Sequence, residues 1–327
     1  MHFSFTSDQH DFAASLRAML EREFTAARLR AVWDSGTGHD PELWARLAEM
    51  GVLGMMIPET NGGLGGNYLD TVLLLEELGR AAVPGPVIET MTVGAIALAD
   101  TRWTSGVANG TVSVTAALMG ERYVPHVSNS IVVLTAESGI VRAAESTSLV
   151  QTTVQGIDGG RRLSIIEGTV EHDAIIDVDA NALVDAGALA AAAYLLGLSS
   201  RMLAIAGDYA RDRSQFGQPI GAFQAVKHLM ANALLQVEFA RPAVYRAAWS
   251  WANNSPDRAR DVSMAKALMS DAAQKAARSA LQVHGAIGYT WECDLQLFMK
   301  KAWALSPAWG SATFHRRRVA DAVLGAR

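Results

Sequence analysis

The chain has 327 residues, of which 50% are apolar and 19% are charged, and its formal net charge at neutral pH is −5. This length suffices for a large buried core, and the weakly acidic balance disfavours a nucleic-acid partner. Cys293 is the only cysteine, which excludes a disulfide framework within the chain and favours a reducing compartment. Residues 1–8 lack the blocks of a signal peptide, and the most apolar run, 186–198, is too short to span a bilayer. We therefore expect a cytoplasmic protein without a membrane partner.

The N-terminal segment 6–50 has the apolar periodicity of amphipathic helices. The apolar residues on one face are Phe12, Leu16, Met19, Leu20 and Phe24. Thr6 or Ser7 is suited to cap the first helix, and Asp40 followed by Pro41 is typical of the start of another. The segment is therefore predicted to be helical.

The glycine-rich segment 62–66 resembles a phosphate-binding loop only in its glycine content. It lacks the Lys-Ser/Thr pair that a nucleotide loop requires. We therefore predict a turn there, before a helix over 69–80.

Between residues 106 and 179 the pattern changes to short β-branched stretches separated by Gly, Asn and Asp. The stretches are 112–115, 130–135 and 163–166. Beyond residue 179 helical periodicity returns and continues through four or five long segments, including 223–251 and 261–284. We predict an α-helical domain over 1–104, a small β-domain over 105–180 and a helical bundle over 181–327.

The segment 211–228 joins two of these helical segments, and it contains a polar motif. Gly217 and Pro219 interrupt the first helix, so Arg213 is predicted at the mouth of a helix pair. A guanidinium there is suited to a phosphate, and Gln224 offers an amide one turn into the next helix. A helical corner with a surface arginine explains the same spacing, so both interpretations stay open.

A second motif runs Gln282-Val-His-Gly-Ala-Ile-Gly-Tyr-Thr-Trp-Glu292. Together with Arg-x-x-Phe-Gly-x-Pro-Ile-x-x-Phe-Gln from Arg213, it resembles the C-terminal half of acyl-CoA dehydrogenases, which are flavoproteins. Ile57-Pro-Glu-Thr-Asn-Gly-Gly-Leu-Gly65 is similar to the same family's N-terminal domain. The resemblance implies a mainly α fold: an N-terminal α-domain, a reduced middle β-domain and a C-terminal four-helix bundle.

The resemblance also implies a cofactor, FAD, that lies across a subunit interface and reaches the neighbour's bundle with its pyrophosphate and adenine. The positions assigned to that contact are Arg213, Gln215, Phe216, Ile220, Gln224, Gln282, Gly285 and Ala286. Arg213 would pair with the pyrophosphate, and Phe216 would pack on the cofactor. Gly285 would allow a close backbone approach. No metal site is predicted.

The chain departs from the family pattern where the flavin ring and the catalytic base belong. It has neither the Thr-Glu-Pro-x-Ala-Gly-Ser-Asp motif nor the Trp-Ile-Thr-Asn that follows it, and the middle domain is short. The family's base position falls on Trp309, whose indole cannot accept a proton, and the alternative position falls on Gly187. The catalytic residue is therefore not identified, and Glu89 and Asp185 are the remaining candidates for a relocated base.

By this resemblance, the chain lacks the flavin-ring half of its own FAD site but keeps the pyrophosphate and adenine half that it offers to a neighbouring subunit. This pattern favours a dedicated partner subunit. The chain resembles one subunit of the heteromeric acyl-CoA dehydrogenases of steroid-catabolising actinobacteria, in which two unlike subunits assemble. The resemblance implies oxidation of a bulky, steroid-derived acyl-CoA to the trans-2-enoyl-CoA, with the partner's carboxylate as base and an electron-transfer flavoprotein or similar acceptor. Two alternatives stay open: a homomeric enzyme that uses Glu89 or Asp185, and a flavin-free scaffold.

Overall fold

The computed structural model describes residues 4–168 and 172–325. The outer limits of the predicted domains, residues 1 and 327, fall outside these ranges, as do the start of the segment 1–8 and three residues of the predicted β-domain. The N-terminal part begins with four helices: α1 (Ser7–Glu23), α2 (Ala26–Ser35), α3 (Pro41–Glu49) and α4 (Tyr68–Arg80). The first three fall in the segment 6–50 that the sequence predicts to be helical, and α4 begins one residue before the predicted helix 69–80.

The caps of these helices explain where they begin. Thr6 accepts a hydrogen bond from the Gln9 backbone while the Gln9 side chain accepts one from the Thr6 backbone, so α1 begins with a capping box. The Asp40 carboxylate accepts a hydrogen bond from the Leu43 N–H at 2.9 Å, and Pro41 occupies the first turn of α3. Both predicted helix starts are therefore confirmed.

A buried segment of irregular helix follows α4. A π-helix spans Glu89–Gly94 and continues into α5 (Ala95–Ala97), and α6 (Thr104–Ala108) precedes the strands. Every residue of the π-helix is buried. Short 3-10 turns lie at Glu59–Asn61, Val127–Asn129, Ser146–Ser148, Ile220–Ala222 and Gly285–Tyr289.

The middle part forms two small sheets. The strands are β1 (Val114–Ala117), β2 (Val124–Pro125), β3 (Val132–Glu137), β4 (Ile140–Glu145), β5 (Val150–Val154), β6 (Leu163–Glu167) and β7 (Ala174–Ile176). One sheet has the order β1-β3-β4-β7, in which only β1 and β3 pair in parallel, and the other has the antiparallel order β2-β6-β5. The three predicted strands correspond to β1, β3 and β6, each with slightly shifted limits.

The remaining elements are α7 (Ala180–Asp212), β8 (Ser214–Gln215), β9 (Gln218–Pro219), α8 (Gln224–Ala252), α9 (Arg258–His284), α10 (Leu295–Leu305) and α11 (Ala312–Leu324). Helices α7 to α10 pack as a bundle, and α11 packs on α9. By length and composition α7 would suffice to cross a membrane, but 94% of its most apolar window is buried inside the protein. It is the central core helix, and the predicted fold class is confirmed.

Two glycines allow α4 and α7 to cross closely, which joins the N-terminal helices to the bundle. A Cβ atom on Gly79 would lie 2.0 Å from the Tyr194 carbonyl oxygen, and one on Gly197 would lie 1.8 Å from that of Glu76. No side chain larger than hydrogen fits at either position. The Tyr194 hydroxyl donates to the Val83 carbonyl oxygen at 2.6 Å, so α7 also anchors the chain that leads into the π-helix.

Candidate functional site

The predicted FAD-contacting positions meet at one end of the bundle. Helices α7 and α9 both end there. Tyr209 in the last turn of α7 stacks on His284 at the end of α9, with ring centroids 4.4 Å apart. The β8–β9 hairpin follows α7 directly and leads into α8. We name this surface the hairpin end; it comprises residues 213–224 and 282–286, and it brings the two sequence motifs together.

The hairpin displays Phe216 at its tip. Ser214 pairs with Pro219 and Gln215 with Gln218, and the two turn residues, Phe216 and Gly217, have φ values of 53° and 80°. Two positive φ angles are typical of the tight turn that matches the twist of a hairpin. A non-glycine residue is rarely held in this conformation, and Phe216 is nevertheless 92% exposed. Strain of this kind is concentrated at functional sites.

Arg213 lies at the base of the same hairpin with its side chain exposed. The Ile220 N–H donates to the Arg213 carbonyl oxygen at 2.8 Å, which closes the hairpin. Across residues 4–168 and 172–325, no side chain forms an ion pair or a hydrogen bond with the Arg213 guanidinium. An exposed cation without a partner fits an anionic group that arrives from outside the chain.

The other positions of the hairpin end are also open. Gln215, Gln224, Gln282 and Ala286 are exposed, and Ile220 is half-buried against the core. Gly285 has a φ of 62°, and a Cβ atom built there would meet nothing within 4 Å. These residues are therefore accessible to a ligand from outside the chain, and their roles toward FAD stay predictions.

Helix α8 is apolar on two faces. Val237 and Val244 are fully buried in the bundle, whereas Leu234 is 50% exposed and Phe239 is 71% exposed. Leu229 and Trp249 are half-buried. One face thus belongs to the chain's own core, and the other is available to a second subunit.

The second region of interest is a cavity of about 200 Å³ between the π-helix, the strands β1 and β2, and the loop 306–310. We name it the inner cavity. Its lining residues are Glu89, Ala116, Met119, Glu121, Tyr123, Pro125, Arg161, Pro307, Ala308, Trp309 and Gly310. It contains Trp309, the position to which the family resemblance assigns the base.

Trp309 fills that position with a packed indole. The residue is 6% exposed and has a φ of 59°. A Cβ atom on Gly187 would lie 2.3 Å from the indole, so the ring rests directly on the Gly187 backbone. The two positions at which the family resemblance would place a base are therefore in contact, and neither carries a carboxylate.

Two buried side chains, neither of them predicted from the sequence, hold the loop around Trp309. The Lys266 ammonium donates to the carbonyl oxygens of Ser306 at 2.7 Å and Gly310 at 3.1 Å, and burial lowers the pKa of Lys266 to about 7. The His315 Nε2 lies 2.8 Å from the Trp309 carbonyl oxygen, and burial lowers the pKa of His315 to about 4. A neutral imidazole that donates from Nε2 satisfies this contact.

Asp185 does not face the inner cavity. It is 4% exposed, and its Oδ2 accepts a hydrogen bond from Arg318 Nη2 at 3.1 Å, while Oδ1 accepts one from Nη1. Burial raises the pKa of Asp185, and Arg318 opposes that shift. A carboxylate held by a guanidinium fork in this way is a structural ion pair, which leaves Asp185 the less suited of the two candidate bases.

Glu89 does face the cavity. It begins the π-helix and is 3% exposed, and its side chain makes no hydrogen bond or ion pair with any other residue that the structure describes. Burial raises the pKa of its carboxyl group. Glu89 is therefore a buried carboxylate beside a cavity, and its role as a relocated base stays a prediction.

Comparison with known proteins agrees with this architecture. Residues 6–101 match the acyl-CoA dehydrogenase N-terminal domain, and residues 178–324 match the acyl-CoA dehydrogenase C-terminal domain. The chain is 34% identical over 297 residues to the acyl-CoA dehydrogenase IpdE2 of Mycolicibacterium smegmatis, an alignment that covers 88% of this chain and 90% of that protein.

Two solved structures are similar in fold. The ChsE4–ChsE5 complex from Mycobacterium tuberculosis contains a chain that matches with a TM-score of 0.91 and 24% identity over 100% of both chains. The Tcur3481–Tcur3483 steroid ACAD matches with a TM-score of 0.90 and 24% identity over 97% of this chain and 98% of that one. The chain therefore belongs to the acyl-CoA dehydrogenase family, whose members are FAD-dependent oxidoreductases.

Proposed function

We propose that the chain is a subunit of a heteromeric acyl-CoA dehydrogenase. It contributes the pyrophosphate and adenine half of an FAD site, and a second, unlike subunit supplies the flavin-ring platform and the catalytic carboxylate. One observation carries the proposal: Trp309 and Gly187 fill the family's base positions, whereas Arg213 stands exposed and unpaired at the hairpin end. The polar residues offered to a neighbour's FAD are exposed, whereas the chain's own base positions carry no carboxylate and are packed against each other.

The complex oxidises an acyl-CoA to the trans-2-enoyl-CoA, and FAD, when bound, accepts the hydride. Within this chain Arg213 pairs with the pyrophosphate, and Phe216 packs against the cofactor. Gln224 and Gln282 hydrogen-bond to it, and Gly285 leaves room for it. The exposed apolar face of α8 supports assembly with a partner.

The chemical class of the substrate follows from the relatives and from the size of the inner cavity. A structural neighbour is a steroid ACAD, and another is a complex of two named components. The inner cavity of about 200 Å³ is smaller than the roughly 300–1,000 Å³ of pockets for drug-sized ligands. A polycyclic acyl group therefore binds in the partner subunit. The complex acts in the cytoplasm, and an electron-transfer flavoprotein or similar acceptor receives the electrons.

A second candidate function is a self-sufficient homomeric dehydrogenase in which Glu89 is the base. The observation in its favour is that Glu89 and Trp309 line the same cavity and that burial raises the pKa of Glu89 toward the range of a general base. A flavin-free scaffold is the third alternative. It would leave the exposed Arg213 and the strained Phe216 without a role.

Co-expression distinguishes the three. The chain is expressed alone and together with a dehydrogenase gene from its own operon, and flavin per complex is measured by absorbance after co-purification. We expect flavin only in the co-purified complex, at one FAD for each pair of unlike chains. Flavin and activity in the chain alone would support the Glu89 enzyme, and absence of flavin from both preparations would support the scaffold.

A further inference from the structure

The inner cavity contains two charged groups that the proposed chemistry does not use. Glu89 is 3% exposed and has no partner among the residues described. Arg161, half-buried on the loop between β5 and β6, donates one hydrogen bond to the Ala304 carbonyl oxygen at 3.3 Å. In residues 4–168 and 172–325, no carboxylate lies within ion-pair distance of Arg161. A buried acid and an unpaired cation thus line one cavity.

The element that carries Glu89 is rigidly held. Helix of the π type is rare and often lies at functional sites. Within the π-helix, Thr92 donates to the Ile88 carbonyl oxygen at 2.8 Å, and Thr90 accepts from the Val114 N–H of β1 at 3.0 Å. The position of the Glu89 backbone is therefore determined by both the helix and the sheet.

The loop that carries Arg161 is anchored from two sides. A Cβ atom on Gly159 would lie 2.7 Å from the indole of Trp33, so the loop packs closely on α2. Asp158 forms an ion pair with Lys301 of α10 at 3.3 Å. These contacts hold Arg161 at the cavity without neutralising it.

The other titratable groups around Glu89 do not pair with Glu89 or Arg161. Behind Glu89 lies a smaller cavity of about 20 Å³, which His126 and Lys301 also line. Burial lowers the pKa of His126 well below its usual value, so the imidazole is neutral, and Asp158 compensates Lys301. On the outer side, Glu121 is half-buried and accepts from the Met119 N–H at 2.8 Å, and Tyr123 is 48% exposed at the rim.

We propose that the inner cavity is a binding site for a compact carboxylic acid, with its carboxylate on Arg161 and Glu89 and its apolar body against Trp309 and Met119. A guanidinium fork suits one carboxylate, and a protonated Glu89 donates to it rather than repelling it. The volume of about 200 Å³ admits a body of about one ring, which excludes a steroid nucleus. This site is separate from the hairpin end, and the proposal does not depend on FAD binding.

The direct test compares two probes of equal shape, cyclohexanecarboxylate and the neutral cyclohexanecarboxamide, by calorimetry with the full wild-type chain. We expect the carboxylate to bind roughly tenfold or more tightly than the amide, because only the anion gains charge-assisted hydrogen bonds. This comparison needs no substitution. Equal binding of the two probes, or binding of neither, would overturn the proposal.

Matched variants locate the site. Arg161→Gln should lower the affinity for cyclohexanecarboxylate roughly tenfold, whereas Arg122→Gln should leave it unchanged. Arg122 is an exposed arginine beside Tyr123 that does not line the cavity. An equal loss in both variants would mean that the probe responds only to general surface charge, and the site would be abandoned.

The role of Glu89 has its own signature. Because Glu89 must hold a proton to donate to the ligand, the affinity for cyclohexanecarboxylate should fall as the pH rises through the raised pKa of Glu89. Glu89→Gln should bind the probe without this fall, since its amide donates at every pH. A pH dependence that is the same in the Gln variant would show that Glu89 does not contact the ligand.

Discussion

The hairpin end and the loop 306–310, which carries Trp309, differ in how completely the chain satisfies its own polar groups. At the hairpin end, the Arg213 guanidinium has no partner among the residues described, and Phe216 is almost fully exposed. Around the inner cavity, Lys266 and His315 satisfy the backbone of the loop that presents Trp309. An exposed charged group without a partner indicates that a ligand or another subunit supplies one. A loop whose backbone groups are bound by buried side chains indicates that Trp309 has a packing role and not a catalytic one.

The largest expected effect tests whether Trp309 is packing. Trp309→Glu removes a buried indole and buries a carboxylate, so we expect the free energy of unfolding to fall by about 3–5 kcal/mol. Denaturant unfolding measures this, and the chain alone should stay inactive toward acyl-CoA. Trp291→Glu is the control, because Trp291 is 67% exposed and should change stability by about 0.5 kcal/mol or less. Dehydrogenase activity in Trp309→Glu alone would show that the cavity retains a complete flavin site.

Because His315 is buried against the Trp309 carbonyl oxygen, we expect the free energy of unfolding to fall at acidic pH. The pKa of His315 in the folded chain is about 4, below its ordinary value, so the unfolded chain takes up the proton first. Stability is therefore lost as the pH falls from about 6.5 to about 4, by on the order of 3 kcal/mol. His315→Gln keeps hydrogen-bonding groups but cannot titrate, so its unfolding free energy should fall less over this range. Equal slopes in both proteins would exclude His315 as the cause.

The role of the hairpin end is tested by Arg213→Ala in the co-purified complex. Loss of a charge-assisted contact of about 1.5–3 kcal/mol should weaken flavin binding by roughly ten- to hundredfold without unfolding the chain. Arg213→Lys should recover only part of it, because an ammonium is not a planar fork. The control is Arg211→Ala, an exposed arginine nearby that pairs with Asp208 instead. Unchanged flavin content in Arg213→Ala would reduce the hairpin end to an ordinary surface.

The smallest expected effect is on turnover in Trp309→Phe. If the partner's carboxylate performs proton abstraction, turnover per bound flavin should change by about twofold or less. Steady-state kinetics of the complex, normalised to flavin absorbance, measures this. A fall of several orders of magnitude with flavin still bound would place Trp309 at a live active site and would direct attention to Glu89.

The parts of the fold that depend on neighbouring residues were predictable. The capping residues Thr6 and Asp40 begin their helices as expected, and Gly217 and Pro219 lie in the hairpin that ends α7. The two motifs also indicated the family, which the comparisons confirm. Such features were accessible because a cap or a turn is decided by a few consecutive backbone angles.

The inner cavity was only partly accessible. Glu89 was identified from the sequence as a candidate base, but Arg161, Lys266 and His315 carry no local signal that distinguishes them from surface residues. Asp185 was retained as a candidate base because its partner, Arg318, lies far away in the chain. Each of these roles is created by a contact between distant segments, which periodicity does not reveal.

The sequence by itself determined the order of helical and β segments and the family, and it shows no carboxylate at Trp309 or Gly187, the positions that the resemblance assigns to the base. The tertiary structure decided that Trp309 rests on Gly187, that Asp185 is neutralised while Glu89 is not, and that the hairpin end stays open. The reason is physical: helix starts and turns depend on local backbone energetics, whereas burial and charge pairing depend on which distant side chains the packed core brings within a few ångströms of one another.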